Sequence, residues 1–391
     1  MNRIFYAEKD TTLYEKHKTR NTGIDEILQL VKITCGSRHE GNIQTNTYNS
    51  RILIDFGTEI TSITNAITAG DIPAINDRNI ASASVFLNLH ASEASDLLQS
   101  YTIDAYPISE SWNNGGGYYS DSPENRIGSS WLHTSGDDVA GTGIAWQTGS
   151  AHSYNTSAGT TITKGGGTWI TGSGYEASQS FKNTTPDLRI DVSNIVNNWV
   201  SSSDSQITNN GFIIKRPYAD EVDMNVYGTI NFFSRESHTI FVPRLEVCWD
   251  DVTPGTGNVE VNTISTNTYV PYIKNIKSEY RTNEIARFWV GVRPEFPTKT
   301  YQTSSFYMTT DRLPVSSSYS IYDSVTNDVI IKDEDSWGNS TTKMASHASD
   351  GNYFDLRMDS FMPERYYKIR LKCIRTNDTQ TFDDFYFKVV N

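Results

Sequence analysis

Apolar and polar residues alternate by twos through much of this chain. In Arg51-Ile52-Leu53-Ile54-Asp55-Phe56, the side chains of Ile52, Ile54 and Phe56 share one face. In Ala83-Ser84-Val85-Phe86-Leu87-Asn88-Leu89, those of Val85, Leu87 and Leu89 do the same. A period of two belongs to the extended strand, whose successive side chains point to opposite faces. The same texture predicts strands at 28–34, 101–107, 211–215, 229–233 and 245–249. Helical spacing is rare. Ile195, Val196 and Trp199 form an apolar stripe behind a capping Asp191 or Ser193, and a second short helix is expected at 60–67.

The pattern breaks at about 113–175. This stretch carries Gly-Gly-Gly at 115–117 and again at 165–167, which marks loops. It also carries Trp131, Trp146, Tyr154 and Trp169, so it is expected to pack on something, either its own domain or a partner. A second break follows Trp249-Asp250-Asp251. Residues 252–268 are polar, contain Pro-Gly and read as a linker. Strand texture resumes at 269–391, with strands expected at 286–292, 304–308, 319–323, 328–332, 353–358, 366–374 and 382–390. Seven short strands in that length predict a sandwich of the immunoglobulin or fibronectin kind.

Composition narrows the function. The formal net charge is −13, which disfavours nucleic acid, because phosphate binding needs a basic face. No apolar run approaches the roughly 18 residues that span a bilayer, so no membrane role is expected. The opening MNRIFYAEKDTT has no apolar core of a secretion signal, which predicts synthesis in a cytoplasm. Cys35, Cys248 and Cys373 are far apart and form no CxxC pair, so zinc is not expected; Cys248 and Cys373 sit in alternating text and read as buried free thiols.

The order of motifs over residues 7–250 resembles the DNRLRE-type β-sandwich domain. Asp10-Thr11-Thr12-Leu13-Tyr14 and Asn21-Thr22-Gly23 match its opening, followed by Ser50–Phe56 and then 83–89 as strands. Ser109-Glu110-Ser111-Trp112-Asn113-Asn114 keeps the end of its Trp-Asn-Asn motif. The stretch 190–199 precedes Gly211-Phe212-Ile213-Ile214 as in that family, and 232–236 with 242–247 match its close. The resemblance implies a jelly-roll-like sandwich, a binding or structural role, and family core positions at Arg51, Trp112, Asp191, Trp199, Phe212 and Arg244. The long insertion departs from the pattern, and 253–391 lie outside it.

Candidate chemistry is sparse. Glu110, Asp121, Glu124, Asp137 and Asp138 cluster near the aromatic insertion, and two carboxylates about 5–10 Å apart would be needed for glycoside hydrolysis; solvated loop acids are the simpler reading. The seven histidines lack a Gly-x-Ser-x-Gly context. Asp220 and Asp223, and the run 333–335, offer hard oxygen ligands for calcium without an EF-hand pattern; otherwise no cofactor is expected. Tyr118, Tyr119, Trp131, Trp146 and Trp169 are the candidates for contact with a partner or a glycan, whereas Trp112, Trp199 and Trp249 are expected in the core.

Together these features predict an all-β protein of two domains, 1–251 and 269–391. The resemblance, combined with the large Gly/Trp insertion, implies a non-enzymatic role as a structural protein of a tailed-phage virion, at its neck, tail or baseplate. Its partners would be other virion proteins in symmetric copies. A carbohydrate-binding adhesin is the alternative, and a glycan depolymerase the third reading.

Overall fold

The computed structural model describes residues 1–39, 42–74, 80, 83–136, 140–146, 165–202, 206–251, 263–296, 311–333, 341–347, 349–375 and 378–391, without the side chains of 35–39 and 42–46. The expectations at 137–138, 154, 252–262, 304–308 and 334–335, and the side chain of Cys35, lie outside these. The fold is all-β, as the alternation predicts. Two compact units divide the chain: Phe5–Glu246, and Met1–Ile4 with Val247–Asn391. The division therefore falls a few residues before the expected boundary after Asp251. The N-terminus groups with the second unit because it is tied there. Its ammonium group donates to the Trp249 carbonyl and to Asp251 Oδ1, each at 2.6 Å, and to the Thr341 carbonyl at 2.9 Å.

In chain order come β1 (Asn2–Tyr6), whose residues up to Ile4 group with the second unit, then β2 (Lys9–Tyr14), β3 (Ile27–His39), β4 (Asn42–Asp55) and α1 (Gly57–Ala69). The first unit continues with β5 (Ala83–Leu89), β6 (Ala91–Ser95), β7 (Ser100–Pro107), β8 (His133–Ser135), β9 (Ile144–Ala145), β10 (Ala177–Lys182) and β11 (Leu188–Asp191). It closes with α2 (Ser193–Val200), β12 (Phe212–Lys215), α3 (Tyr218–Val222), β13 (Gly228–Phe233) and β14 (Arg244–Trp249). One sheet runs β1-β14-β5-β11, and the larger runs β10-β7-β12-β4-β3-β13-β6, with β2 also on β4. The alternating residues named above fill the core: Ile52, Ile54, Phe56, Val85, Leu87 and Leu89 are fully buried. The stripe Ile195, Val196 and Trp199 of α2 is buried as predicted, with the Trp199 ring edge-on to Phe212 at 4.6 Å.

The second unit adds β15 (Tyr269–Ile273), β16 (Glu279–Arg281), β17 (Ile285–Pro294), β18 (Ser318–Asp323), β19 (Val329–Ile331), β20 (Ala345–His347), β21 (Gly351–Arg357), β22 (Arg365–Arg375) and β23 (Asp378–Val390). They form two sheets, β15-β17-β21-β20 and β16-β23-β22-β18-β19. An aromatic stack joins the two faces: Tyr319 of one lies on Phe354 of the other at 4.1 Å, and Phe354 on Phe288 at 5.3 Å. The unit is thus a sandwich. Cys248 and Cys373 are buried and free, and burial pushes the Cys373 thiol up to about 12. Among the described residues no helix is long and apolar enough to cross a membrane.

Candidate functional site

The insertion is fastened to the body of the first unit by its tryptophans. Trp112, Trp131, Trp146 and Trp169 form one cluster with Leu13, Leu53, Ile108 and Ile213, and none of the four is more than 9% exposed. A large aromatic side chain buries about 200 Å², or roughly 5 kcal/mol of transfer free energy before entropy. This corrects the expectation that Trp131, Trp146 and Trp169 could contact a partner or a glycan: their ring faces are occupied from within. Residues 165–167 explain the second triglycine. All three glycines adopt positive φ, and a Cβ on Gly166 would lie 2.6 Å from Arg51 Nη1 and 2.8 Å from the Trp131 ring. The run is a close backbone approach, not slack.

A buried set of charges lies under this cluster. Arg51 donates to Glu221 through Nε and Nη2, each at 2.9 Å, and to the Gly166 carbonyl at 2.7 Å. Its guanidinium sits 4.9 Å from both the Trp131 and Trp169 ring centres. Lys215 approaches the same Glu221 at 3.0 Å. Burial works to raise the Glu221 carboxyl, but the two cations outweigh it and hold the group below its ordinary value. Burial likewise lowers the Lys215 ammonium, with Glu221 opposing.

The calcium candidates belong to a neighbouring arrangement. Lys32, a buried lysine of β3, donates to the Asp220 carbonyl, to the Asp223 carbonyl at 2.8 Å and to Asp223 Oδ1 at 2.5 Å. The Tyr227 hydroxyl lies 2.8 Å from an Asp223 carboxylate oxygen and 3.0 Å from one of Asp220, with its one proton shared between them. Against partial burial, the Lys32, Tyr227 and Asn225 hydrogen bonds bring Asp223 down to about 2. The Asp223 carboxylate and the carbonyls of Asp220 and Asp223 thus surround the lysine ammonium, and the Asp220 carboxylate faces Tyr227. Among the described residues no group of three or more acidic, histidine or cysteine side chains is placed to hold a metal.

The expected family core positions are buried at Arg51, Trp112, Trp199, Phe212 and Arg244. Asp191 is the exception. It is exposed, and its carboxylate accepts from the Ser193 amide at 3.0 Å and hydroxyl at 2.5 Å, bracing the start of α2.

Tyr118 and Tyr119 remain at the surface, 43% and 39% exposed. Their position follows from Asn21, which is itself fully buried. Asn21 Nδ2 donates to the carbonyls of Asn114 at 2.7 Å and Ser129 at 2.8 Å, and its Oδ1 accepts from the Gly117 amide at 2.8 Å. Asn114 Nδ2 donates back to the Gly23 carbonyl at 2.5 Å. The Asn-Thr-Gly and Asn-Asn-Gly motifs, distant in sequence, are thus one clip. Beyond it, the Tyr119 amide donates to both oxygens of Asp25 at 3.1 Å, and Arg20 donates to the Tyr119 carbonyl.

The Tyr119 ring meets Tyr14 at 4.8 Å and His17 at 5.5 Å, edge-on to the latter. Two hollows open beside the Tyr14–Tyr119 pair. The first, about 190 Å³, has a floor from outward positions of the large sheet, including Val31, Ile33, Tyr48 and Ser50. Register explains this floor: Ile33 opposes Tyr48, Val31 opposes Thr229, and Tyr14 opposes Ser50. The second hollow, about 270 Å³, adds Asp25, Glu26, Ile27 and Tyr118, and Gln29 lines both. The Tyr14 hydroxyl donates to Gln29 Oε1 at 2.8 Å. Burial raises the Asp25 carboxyl to about 6. Sequence reading placed Tyr118 and Tyr119 here but missed Tyr14, Gln29 and Tyr48. Their signal was the outward half of the strand alternation, which by itself looks like ordinary solvent-facing surface.

The acids proposed for hydrolysis hold loops. Glu110 accepts from the Thr168 hydroxyl, Asp121 from the Tyr118 amide at 2.9 Å, and Glu124 from Thr19 and Arg126, each at 2.8 Å. No family model, curated protein or solved structure matches this chain.

Proposed function

We propose that this chain is a non-enzymatic docking protein of a tailed-phage virion, working by burying surface against other virion proteins in repeated copies. The observation that carries the non-enzymatic part is the employment of Glu110, Asp121 and Glu124. Each described acid of the insertion accepts hydrogen bonds that fasten a loop, so what the first unit presents to its surroundings here is a binding surface walled by tyrosines. Tyrosines suit such a surface, giving contact area at small entropic cost. The virion part rests on the order of motifs from Asp10 to Val247 taken together with the large Gly/Trp-rich insertion at 113–175. A stable contact of this kind buries on the order of 800 Å² per partner, and closed symmetry would repeat it.

Crosslinking mass spectrometry on the chain in its native source tests this. Crosslinks from the first unit to capsid, tail or baseplate proteins are expected. Isolation of the chain without any such neighbour, from a genome segment that encodes none, would overturn the reading.

A further inference from the structure

We propose that the two hollows beside Tyr14 and Tyr119 are adjoining subsites for a neutral glycan. The inference goes beyond docking between virion proteins and does not depend on it. The floor and walls combine the two things a pyranose needs. Tyr118 and Tyr119 stand 43% and 39% exposed; Arg20 lies 5.2 Å over the Tyr119 ring, and Tyr14 and His17 meet it, so the part of that ring left open and the Tyr118 ring are what the C–H face of a sugar would meet. Beside them lie flat hydrogen-bonding groups, Gln29 in both hollows, Asn49 in the first and Asp25 with Glu26 in the second, with Gln29 Oε1 already accepting from Tyr14, Asp25 from the Tyr119 amide and Asn49 Nδ2 donating to Glu15. Such groups accept or donate in pairs, as adjacent hydroxyls require.

Size and charge narrow the occupant. The hollows measure about 190 and 270 Å³, each below the roughly 300–1,000 Å³ of a pocket for a drug-sized molecule. Each therefore suits a single ring, and their shared wall at Tyr14, Gln29 and Tyr119 suits consecutive rings of one chain. Lys16 and His17 line the first hollow and Asp25 and Glu26 the second, so the two together carry both signs of charge and favour neither a polyanion nor a polycation. The platform is also held in advance: the Asn21 clip, Asp25 and Arg20 fix the Tyr119 backbone, which lowers the ordering cost of binding.

The test applies the full chain to an array of neutral hexose and N-acetylhexosamine oligosaccharides and titrates the hits by calorimetry. Tyr119→Ala is expected to weaken binding by about two- to tenfold, the loss of one stacking ring, and Tyr119→Phe to keep it. Tyr118→Ala is a second probe at a more exposed ring, and Tyr386→Ala, exposed on the second unit, serves as the control that leaves affinity unchanged. Thermal melts establish that each variant is folded. Failure to bind any neutral oligosaccharide, or equal binding by folded Tyr119→Ala and Tyr118→Ala, would overturn the proposal. So would a protein crosslinked through Tyr119 by a chain that binds no sugar.

Discussion

Arg51 and Glu221 meet through two parallel hydrogen bonds of 2.9 Å, with both side chains almost wholly buried. Lys215 shares the same carboxylate at 3.0 Å. Removing the anion leaves two buried cations without the carboxylate they share, and breaking a buried pair in this way costs about 3–5 kcal/mol. Glu221→Gln is therefore expected to lower the urea midpoint by that equivalent without a change in slope. A variant replacing Arg51, Lys215 and Glu221 together with apolar residues should recover much of the loss.

Gly166 and Gly116 make a matched pair. Gly166 has φ +83° and no room for a methyl group between Arg51 and Trp131, whereas an added Cβ on Gly116 meets nothing within 4 Å. Gly166→Ala is expected to destabilise by well over the roughly 1–2 kcal/mol of left-handed backbone strain alone. Gly116→Ala should be neutral or slightly stabilising, through the unfolded chain. Thermal or denaturant unfolding of the two variants side by side checks the difference.

Asn21 satisfies two carbonyls and one amide of the insertion. Asn21→Ala leaves them unpaired where water is excluded, at about 1–3 kcal/mol for such a group. The expected readout is local: hydrogen exchange at the Gly117 and Tyr119 amides accelerates, while amides of β5 stay protected. Uniform acceleration across the unit would show that Asn21 supports the whole fold and does not specifically position the tyrosines.

Asp10 gives the protein a pH dependence with a definite sign. Burial raises its carboxyl to about 7, although the Arg235 amide donates to it at 2.7 Å. An unfolded aspartate loses its proton near about 3.9. The folded state thus binds the extra proton between those values, and stability falls as pH rises from about 4 to 7. A shift of that size corresponds to at most about 4 kcal/mol. Asp25, raised to about 6, adds in the same direction. Asp10→Asn, which keeps the acceptor, should flatten most of the slope in denaturant midpoints measured across that window.

The strand framework was legible because alternation is local. The expected strand at 83–89 coincides with β5, and the stripe from Ile195 to Trp199 is the buried face of α2. What escaped depends on residues far apart. The fate of Trp131 is decided by Arg51 and Gly166, and that of Asp223 by Lys32, 191 positions away. A tryptophan in glycine-rich text reads alike whether its ring is covered or open, and an acidic pair reads alike whether it faces calcium or a lysine. The cleft was half legible. Tyr118 and Tyr119 stood out in the insertion, while Tyr14 and Gln29 looked like the ordinary polar side of strands.

A crystal structure of the full chain with its tightest-binding oligosaccharide tests the central claim, that the Tyr14–Tyr119 cleft recognises and does not react. The account predicts a pyranose ring lying against Tyr119, a second ring in the adjoining hollow, and the oligosaccharide recovered intact. An empty cleft with the sugar bound elsewhere, or a sugar cleaved in place, would contradict it.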